Sequence, residues 1–371
     1  MKFSEMQYTR PDVEAIKQQY AEVLAALENA ASAEEQIAAI DRYHKISGTV
    51  GTMGTLASIR HTIDTRDEFY DKENDFFDEQ MPLLEEPDQK IGHAILASKF
   101  RAELEKKYGK LLFTNLEIRE RSFKPEMVEL MQQENKLASD YQKLYASAVV
   151  EFDGKKLPLP KLGPYQQSTD RSVRKAAYET GGKWFDSHRE ELDDIYDKLV
   201  HVRTEQGKML GHENYIQLGY DRLGRNCYGP EKVADFREQI ARDVVPIVAK
   251  VKKAQEKRLG VDKLMFWDDV MIFPDGNPKP QGTADDILAA GREMYHKLSP
   301  ETSAFIDHMY ENELLDVLSK EGKAPGGYCT SIYDYKSPFI FSNFNGTSGD
   351  VDVLTHEAGH AFEAFRAMGK G

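Results

Sequence analysis

The stretch Ser348–Phe365, SGDVDVLTHEAGHAFEAF, decides how the rest of the chain is read. As a helix beginning at Ser348, at about 100° per residue, it divides into two sides. Val351, Leu354, Ala358, Ala361, Phe362 and Phe365 fall on one. Asp352, His356, His360 and Glu363 fall on the other. A spacing of i and i+4 stacks His356 and His360 one turn apart, so both imidazoles can reach one cation at ~2.0–2.1 Å. Glu357, off to the side of the pair, can address a water on that cation instead of the cation itself. This is the H-E-x-x-H arrangement of zinc peptidases, with two neutral nitrogen ligands and one unligated carboxylate as general base. Zinc lowers the pKa of its water toward ~7. Ligand type and availability favour zinc over cobalt or manganese, at one ion per chain. Asp352, one turn before His356, has two readings: it fixes the tautomer of a ligand imidazole, or it complements the helix dipole. A plain solvated helix with two incidental histidines would show the same division of faces.

The whole chain limits the alternatives. Its 371 residues hold one large domain or two ordinary ones, and 40% hydrophobic content fits a globular protein with a core. The 30% charged content and a mean hydropathy of -0.61 fit long helices with wet outer faces. A net charge of -14 argues against a nucleic-acid partner. No signal-peptide core opens the chain, and no stretch reaches the ~18 apolar residues of a membrane span. Two cysteines are too few for a disulfide framework. The expected setting is the cytoplasm, with neither membrane nor nucleic acid as partner.

Working back from the motif, GKAPGGYCTSIYDYKSPFIFSNFNGTSGD predicts two short strands, about Tyr328–Ser331 and Pro338–Phe344. TADDILAAGREMYHKL and SPETSAFIDHMYENEL are helices with clear starts, and FWDDVMIFPDGNPKPQG is a loop. The pattern of 229–260 is a long helix kinked at Pro246, and 168–210 is helical with Gly181–Gly182 as a break. Asp153-Gly154 between apolar runs signals a hairpin. Upstream, helices are expected at Pro11–Ala30, with Pro11 in the first turn, and at Ser32–Ile46 with a Ser32–Glu35 capping box. Others follow at Asp67–Leu84, with its aromatics turned inward, at Pro87–Tyr108 and around Pro125–Tyr145. Periodicity weakens over LLFTNLEIRERSF, which suggests an N-terminal helical lobe over 1–112 and a catalytic lobe over 113–371.

GGYCTSIYDYKSPFIFSNFNGTSGDVDVLTHEAGHAFEAF resembles the oligoendopeptidase F branch of the thimet-oligopeptidase type of zinc metallopeptidase. The likeness lies in the Gly-Gly-Tyr loop, the strand PFIFSNFNGT, the Asp-Val-x-x-Leu-x-His-Glu-x-Gly-His run and the helical build upstream. It implies a mainly α, multi-helical, two-lobed body with a central channel and a small β element beside the motif helix. It also implies zinc-dependent endopeptidase action on short peptides, with folded proteins excluded. Carried over residue by residue, His356 and His360 are the zinc ligands and Glu357 the base. The strand around Ile340–Asn343 would flank the cleft, where an edge could pair with an extended substrate, and Tyr328 and Phe341 are the cleft-lining candidates.

The sequence departs from the family pattern at its end. The resemblance places a third ligand, a glutamate, on a later helix. Eleven residues follow His360, with Glu363 the one carboxylate among them. From His356 to Glu363 is ~10.5 Å along the axis, too far for both to join His360 on one ion; Glu363 is read as an outer support or a solvated group. The expectation is the N-terminal portion of a longer enzyme, weak or inactive by itself. The alternative is a helical binding or scaffold module whose zinc site is vestigial or completed by a partner. His212, His296, His308 and Cys329 are read as structural.

Overall fold

The computed structural model describes residues 1–368. Helix α1 (Val13–Asn29) is capped by Asp12, whose carboxylate accepts the Ala15 N–H. Pro11 therefore precedes the cap instead of occupying the first turn. Helix α2 (Ala33–Ile63) starts at Ser32, whose hydroxyl accepts the Glu35 N–H; the Glu35 carboxylate reaches back to the Ala31 N–H. The helix does not stop near Ile46 but runs for 31 residues. Its internal glycines weaken helix propensity by roughly 0.5–1 kcal/mol each, and packing overrides this. At Gly48 a Cβ would stand 2.3 Å from ring carbons of Tyr333, so only glycine admits that ring.

Helix α3 (Glu68–Gln80) begins where Asp67 accepts the N–H groups of Phe69 and Tyr70. Its expected inward aromatics are partly outside: Phe69 is 53% exposed, while Glu73 is 3% exposed. That carboxylate is taken by Arg10 and Tyr8 of the N-terminal segment. The single helix expected over 87–108 is two, α4 (Glu85–Leu96) and α5 (Arg101–Tyr108). The stretch of weak periodicity is helix α6 (Lys110–Arg121), seated by Phe113 and Ile118. After α7 (Val128–Ala146), strands β1 (Val149–Phe152) and β2 (Lys155–Pro158) form the expected hairpin. Asp153 and Gly154 both take positive φ, 51° and 68°, as a two-residue turn of this hand requires.

Short α8 (Gly163–Gln166) leads to α9 (Arg171–Ser187) and α10 (Arg189–Met209). The break falls at His188; the Gly181–Gly182 pair stays helical, with Gly181 facing Leu162. Beyond α11 (Ile216–Arg222) come α12 (Pro230–Gln239) and α13 (Val245–Leu259). They are joined by a π-turn over Ile240–Val244, which absorbs the missing N–H and ring bulk of Pro246. Helices α14 (Ala284–Leu298) and α15 (Pro300–Glu311) start at Thr283 and Ser299, both in reciprocal capping boxes.

The last part is a three-stranded sheet: β3 (Leu315–Leu318), β4 (Tyr328–Ile332) and β5 (Ser337–Phe344), in the order β3-β5-β4. β3 lies parallel to β5 and β4 antiparallel. β3 escaped the sequence reading because four residues give too short a period. Its presence makes β5 the central strand, so Ile340–Asn343 is not an edge; β4 is an edge strand instead. Helix α16 (Gly349–Ala367) closes the described chain.

Two main cores result. One joins Ile16, Tyr20, Val23 and Leu27 of α1 to Ile40, Ile91, Leu104 and Phe113. The other joins Met6, Leu56 and Ile59 to Phe305, the β5 residues Phe339–Phe341, and Ala358 and Ala361 of α16. α2 contributes to both, its first half to one and its last turns to the other. Among the described residues, no helix is long and apolar enough to cross a membrane.

Candidate active site

β5 delivers the chain into a short loop that fixes where α16 begins. Ser348 occupies the cap position without a side-chain hydrogen bond. Asp350, 4% exposed, does the holding: its carboxylate accepts the N–H of Asn345 at 2.9 Å and of Gly346 at 2.7 Å. The Asn345 amide donates to the Pro160 carbonyl at 3.0 Å, and the Thr347 hydroxyl donates to Asn345 at 2.8 Å. A buried carboxylate at a helix N-terminus is also favoured by the dipole.

From Leu354 onward α16 lies on the sheet. Leu354 packs with Ile287, Val317 and Phe344. Ala358 and Ala361 are fully buried, and their small side chains let the helix approach β5 closely. Phe362 and Phe365 place their rings 5.4 and 5.7 Å from that of Phe305. Val351, expected on the packed side, is 41% exposed, because it lies in the first turn ahead of these contacts.

The opposite side carries the predicted polar stripe. Asp352, His356, His360 and Glu363 are all exposed. The imidazoles of His356 and His360 meet at ring centroids 4.8 Å apart, tilted by 80°, with their Nε2 atoms 3.2 Å from each other. Two nitrogens at ~2.0–2.1 Å from a tetrahedral ion stand about 3.3 Å apart. The observed separation matches that of two nitrogen ligands on one zinc ion. Glu357 differs from both: it is buried, 8% exposed, and its carboxylate lies beside Gly327.

No third ligand accompanies the pair: among the described residues, no group of three or more His, Cys, Asp or Glu could hold a metal ion. Asp352 and Glu363 therefore share the face of the histidines without completing a site. His296 is held by Asp307 at 2.8 Å, and His308 bonds Ser337 at 3.0 Å. His212 lies in the turn between α10 and α11, its N–H on the Gly207 carbonyl.

The cleft-lining candidates part company. Phe341 is fully buried, so it lines no cleft; central strands turn alternate residues into the core. Its ring stacks on that of Tyr328 at 4.7 Å and 7°. Tyr328 is partly exposed, with its hydroxyl 2.7 Å from the Thr62 hydroxyl of α2. Burial pushes its pKa up to about 12. Next to it, the Cys329 thiol is pushed up to about 11 by burial and then by the charges of Glu357 and Glu363. A thiol so raised stays protonated near neutral pH and is no nucleophile. Sequence reasoning missed Asp350; a buried aspartate looks no different from an exposed one until the loop is folded around it.

Residues 3–123 match the Peptidase M3 N-terminal domain, and residues 164–368 match Peptidase family M3. The oligoendopeptidase F homolog of Lactococcus lactis subsp. lactis (strain IL1403) is 24% identical over 360 residues, covering 90% of this chain and 57% of that protein. Among solved structures, PZ peptidase A with inhibitor 2 is 47% identical, with a TM-score of 0.98 over 99% of this chain and 66% of that one. A candidate oligoendopeptidase F from Bacillus anthracis str. Ames is 46% identical, with a TM-score of 0.98 over 100% of this chain and 68% of that one. The chain thus spans 57% of the length of the first of these relatives.

Proposed function

The chain belongs to peptidase family M3, in its oligoendopeptidase F branch, and from that premise we propose that it carries the metal-binding helix of a zinc-dependent oligopeptidase acting on short peptides. The observation that carries the reading is the convergence of two exposed imidazole nitrogens at 3.2 Å beside a buried glutamate. His356 and His360 would hold the ion. Zinc, when bound, supplies Lewis acidity toward the scissile carbonyl and the attacking water. Glu357, excluded from the ligand set by its position, takes the proton of that water and passes it to the leaving amine. Asp352 orients a ligand ring, and Glu363 supports the site from outside. The substrate backbone lies extended along the β4 edge near Tyr328. In this reading 1–112 and 113–371 are the two lobes, with the channel between them.

The lack of a three-residue ligand group among the described residues favours a second reading. In it, this chain is a helical binding module whose zinc site needs residues from elsewhere.

The test is zinc analysis and hydrolysis of a quenched fluorescent peptide by the full-length protein and its Glu357→Gln variant. The variant keeps its zinc and loses activity by about 10²–10⁴-fold. Undiminished hydrolysis, or a full-length protein without zinc, overturns the proposal.

A further inference from the structure

Among the described residues, strand β4 pairs only with β5, and helix α2 lies against it. The helix and the strand are tied at both ends of β4. At its start the Tyr328 hydroxyl lies 2.7 Å from that of Thr62. Beyond its end the Asp334 N–H donates to the Thr52 hydroxyl at 3.0 Å, and the Tyr333 ring fills the space left by Gly48.

Between the two ties a cavity of about 630 Å³ opens to solvent. Its walls come from α2 (Gly51, Gly54, Ser58), from the end of α3 (Phe77, Met81) and from β4 (Thr330). Two of these positions are kept open by glycine. At Gly51 a Cβ would meet nothing within 4 Å, so the helix has no side chain where the cavity needs room. At Gly54 a Cβ would stand 3.3 Å from the Phe77 ring, so the missing side chain lets that ring close against α2. Among the described residues that line the cavity there is no Asp, Glu, Lys, Arg or His. A charged side chain placed there would be desolvated without a partner, whereas an apolar one loses only its contact with water.

The cavity adjoins the candidate base. A Cβ on Gly327 would lie 3.8 Å from a carboxylate oxygen of Glu357, and Tyr328 follows directly. Thr330 is three residues further along, about 10 Å at 3.3 Å per residue. We infer that the cavity between α2 and β4 is a specificity pocket for one bulky apolar side chain of a peptide extended along β4, within about three residues of the bond cleaved. The inference rests on the substrate placement proposed above and adds the side chain that the site selects.

The test measures Kd in the full-length protein carrying Glu357→Gln, which binds peptides without cutting them. The probes are alanine-based octapeptides in which Leu, Glu or Lys replaces each residue in turn. At one position Leu binds about 10-fold or more tightly than Ala, and Glu and Lys bind no better than Ala. Gly51→Leu, which fills the cavity from a helical position with open space around it, abolishes that preference. Ser58→Leu, two turns along the same face of α2, does the same. Gly182→Leu, exposed on α9 and outside the cavity, keeps it. Three results overturn the inference: no position that prefers Leu, a charged residue preferred there, or a preference that both filling variants leave intact. Hydrolysis of the same peptides by the wild-type protein separates the two readings. Cleavage without any Leu preference removes the pocket alone. A Leu preference lost in Gly51→Leu, with no peptide cleaved, removes the peptidase reading and keeps the pocket. No binding of any peptide removes both.

Discussion

The motif helix α16 and the α12–α13 arm begin from the same kind of sequence. Both are amphipathic, with apolar residues at helical spacing. In α16 that side is spent on the sheet and on Phe305, and Ala358 and Ala361 are sealed completely. In the arm the equivalent side, Phe236 through Val251, faces outward. Periodicity therefore says that a face is to be covered and leaves open what covers it. It also separates two kinds of stability. α16 is fixed by tertiary contacts from both ends, whereas the arm depends on its anchor, where Gln255 donates to the Asp269 carbonyl and Arg258 to that of Ile272.

Matched truncations give the largest test of that contrast. Phe305→Ala removes a fully buried ring beneath Phe362 and Phe365 and is expected to cost about 3–5 kcal/mol in urea unfolding. Phe236→Ala on the arm should stay within about 0.5 kcal/mol of wild type in the 371-residue chain. Equal costs would mean that the arm is seated after all.

A smaller effect probes how α16 is started. Asp350→Ala leaves the N–H groups of Asn345 and Gly346 without their acceptor, at an expected cost of about 1–3 kcal/mol by denaturant titration. Asp350→Asn, which keeps one acceptor oxygen, should recover part of it. A neutral Asp350→Ala would show that the sheet alone positions the helix.

The smallest effect is one of pH. His308 packs 5.2 Å from the Phe365 ring of α16, and burial holds its pKa below the usual histidine value, with a minor contribution from the terminal amine opposed by Glu311. Below about pH 6.5 the unfolded chain takes up a proton that the folded His308 does not. Stability therefore falls as the pH drops from there toward the folded pKa, and levels off below it. Urea midpoints at pH 7 and 5 should differ less in His308→Gln than in wild type. His44 and His61 are shifted in the same direction by burial, so part of the loss persists in the variant.

Much of this was legible beforehand because it is local. Ser299, Thr283 and Asp67 announce helix starts through their own side chains, and Asp153-Gly154 announces a turn through its backbone preference. The motif is local too: i and i+4 on any helix bring His356 and His360 together. Errors came where a distant residue decides. Gly181 looked like a break but is a contact point for Leu162. Phe341 looked like a cleft residue until β3 made its strand central. Glu73 looked solvated in an acidic run until Arg10 and Tyr8 closed over it.

The sequence alone determined a mostly helical chain, a two-strand element before the last helix, and a histidine pair with a glutamate between them on one polar face. These follow from periods of two and 3.6 residues and from side chains that bond their own neighbours. Only the tertiary structure decided that Glu357 is buried while its histidines are exposed, that Asp350 fixes the start of their helix, and that β5 lies between two partners. The first and the third depend on groups far apart in the chain meeting in space, and the second on a loop that Asn345 ties to the distant Pro160 carbonyl; burial, unlike helical period, is not a property of any local stretch.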